Sequence, residues 1–416
     1  MKQRTSLAVA LVPLCVGLAL TAGPTYAGPT ATKSTTFAFK TSGFGTRVIG
    51  GQVPVGSATT GYQVIGCTNQ AGRSRTNNVA EATLPGLGTA SGIRTHVWTS
   101  SRKGVVASHS THSIAKVVLA QGQLGSLSLD AITSRVTAFH DSTGFHATTS
   151  TRIGGLSFTP PVGPAQSFPA PTPDQPLTIP GLATIYAGQH VTRHSATSAT
   201  ANAFALRIDV IPTGTSLRLA HSFAELSSGL TGGIFSGRSA ATHVVTAAGD
   251  IVRSGPNPLS TMPCQGTYGK NREKSLASVD LGGQLIVKGA RSQERGSQGT
   301  DRARGTSRAE VARVELGGQL VIDGIVGKAS VSRDGRQVTK SANGTVLGRV
   351  TVGGQEQTFP KTGVLEIPGI AKLERRVVTR THDGIRVIGL RITLLDGSGA
   401  VIDLAEASLA IRHLPH

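Results

Sequence analysis

The chain has 416 residues and carries 41 Lys and Arg against 22 Asp and Glu, a formal net charge of +19. Because 38% of the residues are hydrophobic and the 53 glycines and 20 prolines fall short of low-complexity proportions, the composition excludes a wholly disordered chain, a collagen and a protein with several membrane spans. A chain of this length favours two domains over one, and its positive charge favours polyanionic partners.

The first 27 residues are typical of a secretory signal. Lys2 and Arg4 precede a mostly apolar run from Leu7 to Ala22, and Thr25-Tyr26-Ala27 supplies small residues at the two positions that a signal peptidase inspects. We therefore expect cleavage before Gly28 and a secreted, extracellular chain that can associate with the cell wall. No later stretch reaches the ~18 uninterrupted apolar residues of a membrane span, so no membrane insertion is expected after signal removal.

Two stretches of the chain repeat each other in order. Cys67 and Cys264 lie 197 residues apart, and Ile114-Ala115-Lys116-Val117 matches Val311-Ala312-Arg313-Val314 at the same spacing. Further matches follow toward the C-terminus at slightly shorter spacings, as loop deletions would produce. The chain is therefore predicted to contain two copies of one unit.

The repeat predicts three segments: a signal peptide at 1–27, a first β-rich repeat at 28–226 and a second at 227–416. Strand patterns of period two dominate both repeats, and almost no helix is expected after the signal. The expected fold class is all-β, with two tandem homologous antiparallel domains of sandwich-like architecture. A shorter echo of 35 residues, between Val79 and Ile114 in the first copy, leaves a β-solenoid as the alternative.

Local patterns predict individual strands, turns and loops along the chain. Thr95-His96-Val97-Trp98-Thr99 alternates as a half-buried strand does, and residues 401–411 also favour a strand. Asp334-Gly335 and Asp383-Gly384 lie between strand-like runs and predict type I′ hairpins, whose central residues need φ > 0. The Pro-rich segment 159–180 is predicted to be a loop, because each proline removes a donor from the strand ladder.

Two cysteines remain after signal removal, Cys67 and Cys264, in an oxidising compartment where a disulfide persists. Because they occupy equivalent positions in the two copies, we predict that they bridge the copies to each other. The junction near 227–233 is short and rich in Ser and Gly, so the copies are expected to touch.

The sharpest candidate for polyanion binding is a basic stretch between residues 270 and 313. The residues predicted to bind are Lys270, Arg272, Lys274, Arg291, Arg295, Arg302, Arg304 and Arg308. Residues 294–308 within it are expected to form a long, mobile, charged loop. Tyr268 is the only neighbouring aromatic residue, so specific nucleic-acid recognition is not expected.

Enzyme motifs are incomplete in this sequence. Arg47-Val48-Ile49-Gly50-Gly51 imitates the activation site of chymotrypsin-like proteases, but the Gly-Asp-Ser-Gly loop of that fold is missing. Pairs such as His190 and His194 lack the further ligands of a zinc site, and Asp174 and Asp209 are the only acids between residues 141 and 225. We therefore expect no catalytic residue, no metal site and no cofactor.

Five runs of the first copy carry a family resemblance: Gly45-Thr46-Arg47-Val48, Val64-Ile65-Gly66-Cys67-Thr68-Asn69, Leu84-Pro85-Gly86-Leu87-Gly88, Ile179-Pro180-Gly181-Leu182-Ala183 and Ala205-Leu206-Arg207-Ile208. With these runs the chain resembles the choice-of-anchor P family of secreted actinobacterial proteins, over nearly the whole mature length. The second copy departs more, with Cys264-Gln265-Gly266 in place of the Cys-Thr-Asn run. The resemblance implies cell-surface display, and it implies no activity, cofactor or catalytic residue.

The first functional hypothesis is a secreted, non-enzymatic structural or interaction protein of the extracellular surface, with anionic cell-wall polymers or other surface proteins as partners. The alternative is a cell-wall polyanion-binding module that uses the basic stretch. An undetected hydrolase is a second alternative, which requires a concave pocket with converging ionisable groups.

Overall fold

The computed structural model describes residues 32–50, 59–84, 86–120, 125–246, 255–281, 285–397 and 399–414. The expected signal peptide and its cleavage site lie outside these residues. Within them every regular element is a β-strand, and no helix is long and apolar enough to cross a membrane. The expected all-β fold class is confirmed.

The first half contains two antiparallel sheets, named 1A and 1B. Sheet 1A consists of β1 (Lys33–Gly50), β2 (Gln63–Ala71), β10 (Leu177–Ile179), β11 (Ala183–His194), β12 (Ser198–Val210) and β13 (Thr215–Ser227), in the order β10-β11-β12-β13-β1-β2. Sheet 1B consists of β3 (Ser74–Leu84), β4 (Gly88–Arg102), β5 (Val105–Ala120), β6 (Ser126–Asp141), β7 (Gly144–Arg152), β8 (Gly155–Thr159) and β9 (Gln166–Ser167), in the order β3-β4-β5-β6-β8-β9 with β7 also on β6.

The second half contains two further antiparallel sheets, 2A and 2B. Sheet 2A consists of β14 (Ile234–Thr246), β15 (Asn257–Thr261), β24 (Val364–Ile367), β25 (Ala371–Arg380), β26 (Gly384–Leu394) and β27 (Val401–Arg412), in the order β15-β14-β27-β26-β25-β24. Sheet 2B consists of β16 (Arg272–Leu281), β17 (Leu285–Gly299), β18 (Arg302–Leu316), β19 (Leu320–Asp334), β20 (Gln337–Ser341), β21 (Val346–Leu347), β22 (Val350–Val352) and β23 (Gln355–Gln357), in the order β16-β17-β18-β19-β22-β23 with β20 and β21 also on β19.

The two halves have the same topology. In each, two strands start one sheet, the next strands build the second sheet, and the last four strands return to the first sheet, so that the final strand pairs with the first. This return is incompatible with a solenoid, in which each coil contacts only its neighbours, and the solenoid alternative is therefore wrong. The Pro-rich segment 159–180 connects sheet 1B to sheet 1A. After β8 ends at Thr159, the only strands in this described segment are the short β9 and β10.

Face-to-face packing of the two sheets forms the core of each half. In the first half, Leu129 of sheet 1B lies in the same buried cluster as Ile208 and Leu219 of sheet 1A. In the second half, Ile322 of sheet 2B and Ile392 of sheet 2A are buried together. Because successive side chains of a strand point to opposite faces, this packing fixes which residues of each strand face outward.

Strand alternation in the sequence predicts these faces correctly. In β4, Thr95, Val97 and Thr99 are buried while the residues between them are partly exposed. The predicted strand at residues 401–411 is confirmed as β27. Both halves also place an alanine in the left-handed region at the same point of their last strand, Ala220 with φ 52° and Ala405 with φ 53°. A backbone conformation that L-residues rarely adopt, repeated at one position, is strong support for the internal duplication.

The two predicted Asp-Gly hairpins differ in their turns. The hairpin at Asp334-Gly335 is present and connects β19 to β20, but the predicted type I′ turn is wrong there, because Gly335 has φ 55° while Asp334 does not have positive φ. The type I′ turn at Asp383-Gly384 is wrong, since neither residue has positive φ and Gly384 already belongs to β26. The Asp383 carboxylate instead forms a 2.5 Å ion pair with the buried Arg333.

The predicted disulfide between Cys67 and Cys264 is confirmed, with their Cα atoms 5.3 Å apart. Both cysteines are buried in a small apolar cluster that draws on both halves: Ala38, Cys67, Ile234 and Cys264, with Leu230 and Leu414 against it. Hydrogen bonds join the halves beside it, from Ser227 Oγ to Gln265 Oε1 at 3.0 Å and from Arg412 Nη1 to the Cys67 carbonyl at 3.3 Å.

Replacing both cysteines with alanine should lower the free energy of unfolding by roughly 3–5 kcal/mol, because the bond removes the closure entropy of a very long loop from the unfolded chain. Urea denaturation followed by circular dichroism measures this loss. The wild-type protein in a reducing agent serves as the matched control and should lose a similar amount. An unchanged urea midpoint in both samples would contradict the structural role of the bond.

Candidate polyanion-binding surface

The basic residues predicted from the sequence divide between two surfaces. On β17 and β18, five side chains point to the outer face of sheet 2B, which is the face turned away from sheet 2A: Arg291, Arg295, Arg302, Arg304 and Arg308. On β16, Arg272 and Lys274 lie opposite the buried Glu294 and Ser292 and so point to the other face of the sheet. Lys270 is exposed in the loop that precedes β16. The structure therefore does not join all eight residues in one patch.

The mobile charged loop expected at 294–308 is wrong. This segment is the end of β17 and the start of β18, joined by a tight turn at Thr300-Asp301 and paired residue by residue from Glu294 with Ser307 to Gly299 with Arg302. The reason lies in the alternation, because Glu294, Gly296, Ala303 and Ser307 point inward while the arginines between them point outward. A high content of charge is compatible with a strand when the charges share one face.

Two cross-strand rows form the centre of this outer face. The first row runs Ser297, Arg304, Ser332 and Thr339 across β17, β18, β19 and β20. The second row is adjacent and runs Arg295, Thr306, Ser330 and Ser341 across the same strands. Two guanidinium groups thus stand among six hydroxyl groups, all of which can donate hydrogen bonds.

The arginines of the outer face differ in how their charge is compensated. Arg291 pairs with Glu273 at 3.0 Å, Arg302 pairs with Asp334 at 3.2 Å, and Arg308 pairs with Glu310. Among the described residues, Arg304 has neither an ion-pair nor a hydrogen-bond partner, while the Arg295 Nε donates to the Gly269 carbonyl at 2.8 Å. Of these five arginines, Arg295 and Arg304 are therefore the two that no carboxylate among the described residues compensates.

The same two arginines line a shallow groove. It consists of two adjoining hollows of about 550 and 450 Å³ that share Ser297, Arg304, Ser332 and Thr339 in their walls. Arg302 and Asp334 close one end of the groove, and Gly269 with Arg295 lies toward the other. An open groove with a row of hydroxyl groups and two free cations suits a polar, anionic and extended ligand.

The second basic surface lies where the two halves meet. Burial lowers the pKa of Lys274, and the nearby charges of Arg272, Arg47 and Lys40 lower it further. Lys40 and Arg47 belong to β1 of the first half, and the Lys40 Nζ reaches Thr261 of the second half at 3.4 Å. Cations from both halves therefore converge at this seam.

A buried carboxyl group lies beneath the outer face. Glu294 accepts hydrogen bonds from Ser307 Oγ at 2.5 Å and Ser239 Oγ at 2.9 Å, and its side chain has no solvent exposure. Burial raises its pKa from 4.5 to about 8, although the two serines and the charges of Lys40 and Arg272 act in the opposite direction. The folded protein therefore holds this carboxyl group in its neutral form below about pH 8.

One group of potential metal ligands escaped the sequence analysis, because its members come from two strands that are far apart in sequence. His243, Asp403 and Glu406 place ligand atoms within 4.8 Å of one another on the outer face of sheet 2A. Both carboxylates already form ion pairs with arginines. Arg391 binds Asp403 at 2.7 and 3.0 Å, and Arg238 and Arg386 each bind Glu406 at 3.0 Å.

This arrangement is an ion-pair network rather than a metal centre. Burial opposes the ionisation of Glu406, yet the hydrogen bond from His243 and the charges of Arg238 and Arg386 bring its pKa well below the ordinary value. A divalent cation would have to displace these arginines, whose charge-assisted hydrogen bonds are strong in a buried site.

Glu294→Gln should remove a pH dependence from the stability. A folded-state pKa above the unfolded value contributes stability that is complete below about pH 4.5 and is lost as the pH rises to about 8, at about 1.4 kcal/mol for each pKa unit. The melting temperature of the wild-type protein should therefore fall between pH 5 and pH 8, whereas that of Glu294→Gln should fall much less. Glu366→Gln, which removes an exposed carboxylate, is the control and should follow the wild-type protein. Parallel slopes in all three proteins would contradict a neutral Glu294.

Comparison with known proteins adds no functional assignment. No family model matches the chain, and no curated protein sequence is similar to it. The resemblance to the choice-of-anchor P family therefore stays a prediction.

Proposed function

We propose that this protein is a secreted, non-enzymatic binding protein that holds an anionic polymer, such as a cell-wall polymer, in the groove on the outer face of sheet 2B. The observation that carries the proposal is the position of Arg295 and Arg304. Both face the groove, neither has an acidic partner among the described residues, and hydroxyl side chains surround both of them.

The dimensions of the groove favour a chain over a small molecule. The two rows cross four strands, and neighbouring strands are about 4.8 Å apart, so each row is about 14 Å long. Serine and threonine hydroxyl groups can form hydrogen bonds with the hydroxyl groups of sugar units. The planar guanidinium groups can form bidentate hydrogen bonds with carboxylate, sulfate or phosphate groups. Polymer units that carry both kinds of group match this surface.

The lining of the groove supports binding over hydrolysis. Asp334 is the only acidic residue among the described residues that line it, and it is exposed and paired with Arg302 at 3.2 Å. Hydrolysis of glycosides ordinarily needs two carboxylates on opposite sides of the scissile bond. Tyr268 is exposed beside Gly269, and a single aromatic ring is a poor stacking platform for nucleic acid, so a specific nucleic-acid partner is not proposed.

The location outside the cell is part of the same proposal. Disulfides persist in oxidising compartments, and the Cys67–Cys264 bond joins the two halves of this protein. Loss of Lys2 and Arg4 with the signal would leave a net charge of +17, which would draw the protein toward the polyanions of a cell wall.

The double variant Arg295→Gln with Arg304→Gln should bind dextran sulfate about tenfold or more weakly than the wild-type protein, since two charge-assisted contacts are lost. The slope of log affinity against log salt should also decrease in magnitude by about 1–2, because fewer counterions are released on binding. Fluorescence anisotropy with labelled dextran sulfate at several salt concentrations measures both quantities. Uncharged dextran of the same length should not bind.

The matched control is Arg94→Gln with Arg102→Gln, which removes the same charge from exposed positions on sheet 1B. This variant should retain most of the affinity. Equal losses in the two double variants would show attraction by net charge alone, and binding that does not respond to salt would exclude a polyanion site.

A further inference from the structure

Three arginines stand side by side on the outer face of sheet 1A, the face turned away from sheet 1B. Arg47 of β1, Arg218 of β13 and Arg207 of β12 are directly opposite one another across the strand ladder, and Tyr186 of β11 continues the row. Directly opposed like charges destabilise a sheet, because their side chains are close together on one face. We name these four residues the arginine row.

The equivalent row of the second half has balanced charges. At the same four positions of sheet 2A the residues are His243, Asp403, Arg391 and Glu374. Arg391 binds Asp403 through two hydrogen bonds of 2.7 and 3.0 Å. The same backbone arrangement therefore accommodates alternating charges at these positions. The fold does not require three adjacent cations, which are specific to the first half.

Little in the first half compensates the arginine row. Arg207 pairs with Asp209 at 2.7 Å and stacks on Tyr186, while Arg218 lies over the ring of Phe204. Among the described residues, no carboxylate is paired with Arg47 or Arg218, and the buried Nε atoms of Arg47 and Arg207 have no hydrogen-bond partner. Residues 51–58, which follow β1 in the chain, contain no Asp or Glu.

From this geometry we infer that the arginine row is an anion-binding site for a ligand with at least two phosphate- or sulfate-type groups. Strands about 4.8 Å apart place Arg47 and Arg207 about 10 Å from each other, with Arg218 between them. Guanidinium groups at this spacing bind successive oxyanions of one extended ligand. The site lies on a different sheet from the groove of sheet 2B and does not depend on it.

The test compares thermal unfolding and binding with inorganic tripolyphosphate as the probe. Arg218→Asp copies the charge of Asp403 into the row, and Arg218→Gln removes the charge alone. At low salt and without the probe, Arg218→Asp should melt a few degrees higher than the wild-type protein, because the two flanking arginines gain a partner. The probe should raise the melting temperature of the wild-type protein and have little effect on Arg218→Asp.

Isothermal titration with the same probe gives the second readout, in which Arg218→Gln should bind about tenfold more weakly than the wild-type protein. Arg102→Gln, at an exposed position of sheet 1B outside both proposed sites, is the control and should retain the wild-type affinity for the probe. The inference is overturned if the probe binds Arg218→Gln as well as the wild-type protein, or if Arg102→Gln loses as much affinity. If dextran sulfate still requires Arg295 and Arg304 in that case, the proposed function stands while this second site does not.

Discussion

The burial of two sheets against each other is the constraint on which the rest of this structure depends. Buried residues such as Ile208 in sheet 1A and Ile322 in sheet 2B fix the register of their strands, and a shift of one residue would turn every side chain to the opposite face. Once the register is fixed, each charged residue has one face and one set of neighbours. The acidic and basic side chains of this protein therefore lie in defined cross-strand rows and are not spread evenly over the surface.

Because the two halves have the same topology, each residue on an outer face can be compared with the residue at the equivalent position of the other half. The groove position Arg295 in sheet 2B corresponds to Trp98 in sheet 1B, where the ring is stacked between His96 and His109 at 4.5 and 4.6 Å. The two copies thus share a backbone and differ in surface chemistry. Charge on the outer faces could change without cost to the cores, because outward side chains do not contribute to the packing between the sheets.

The seam between the halves joins charged groups as well as apolar ones. The Cys67–Cys264 bond and the small apolar cluster around it hold β2 of the first half against β14 of the second. At this seam Lys40 of β1 reaches Thr261 of the second half at 3.4 Å, and the charge of Lys40 lowers the pKa of the buried Glu294 against the effect of burial. Titration of that carboxyl group is therefore coupled to a surface that both halves build.

The sequence by itself determined the all-β class and the partnership of Cys67 with Cys264, since strand periodicity and repeat spacing can be read along the chain without its tertiary contacts. It did not predict that residues 294–308 form two strands, because a run of charges resembles a loop until the inward residues between them have a core to fill. Only the tertiary structure could decide which cations are neutralised and which are free. Arg47 lies opposite Arg218, and Asp403 lies opposite His243, because strands that are distant in the chain pair with each other. Pairing across a sheet depends on register and topology, which composition does not contain.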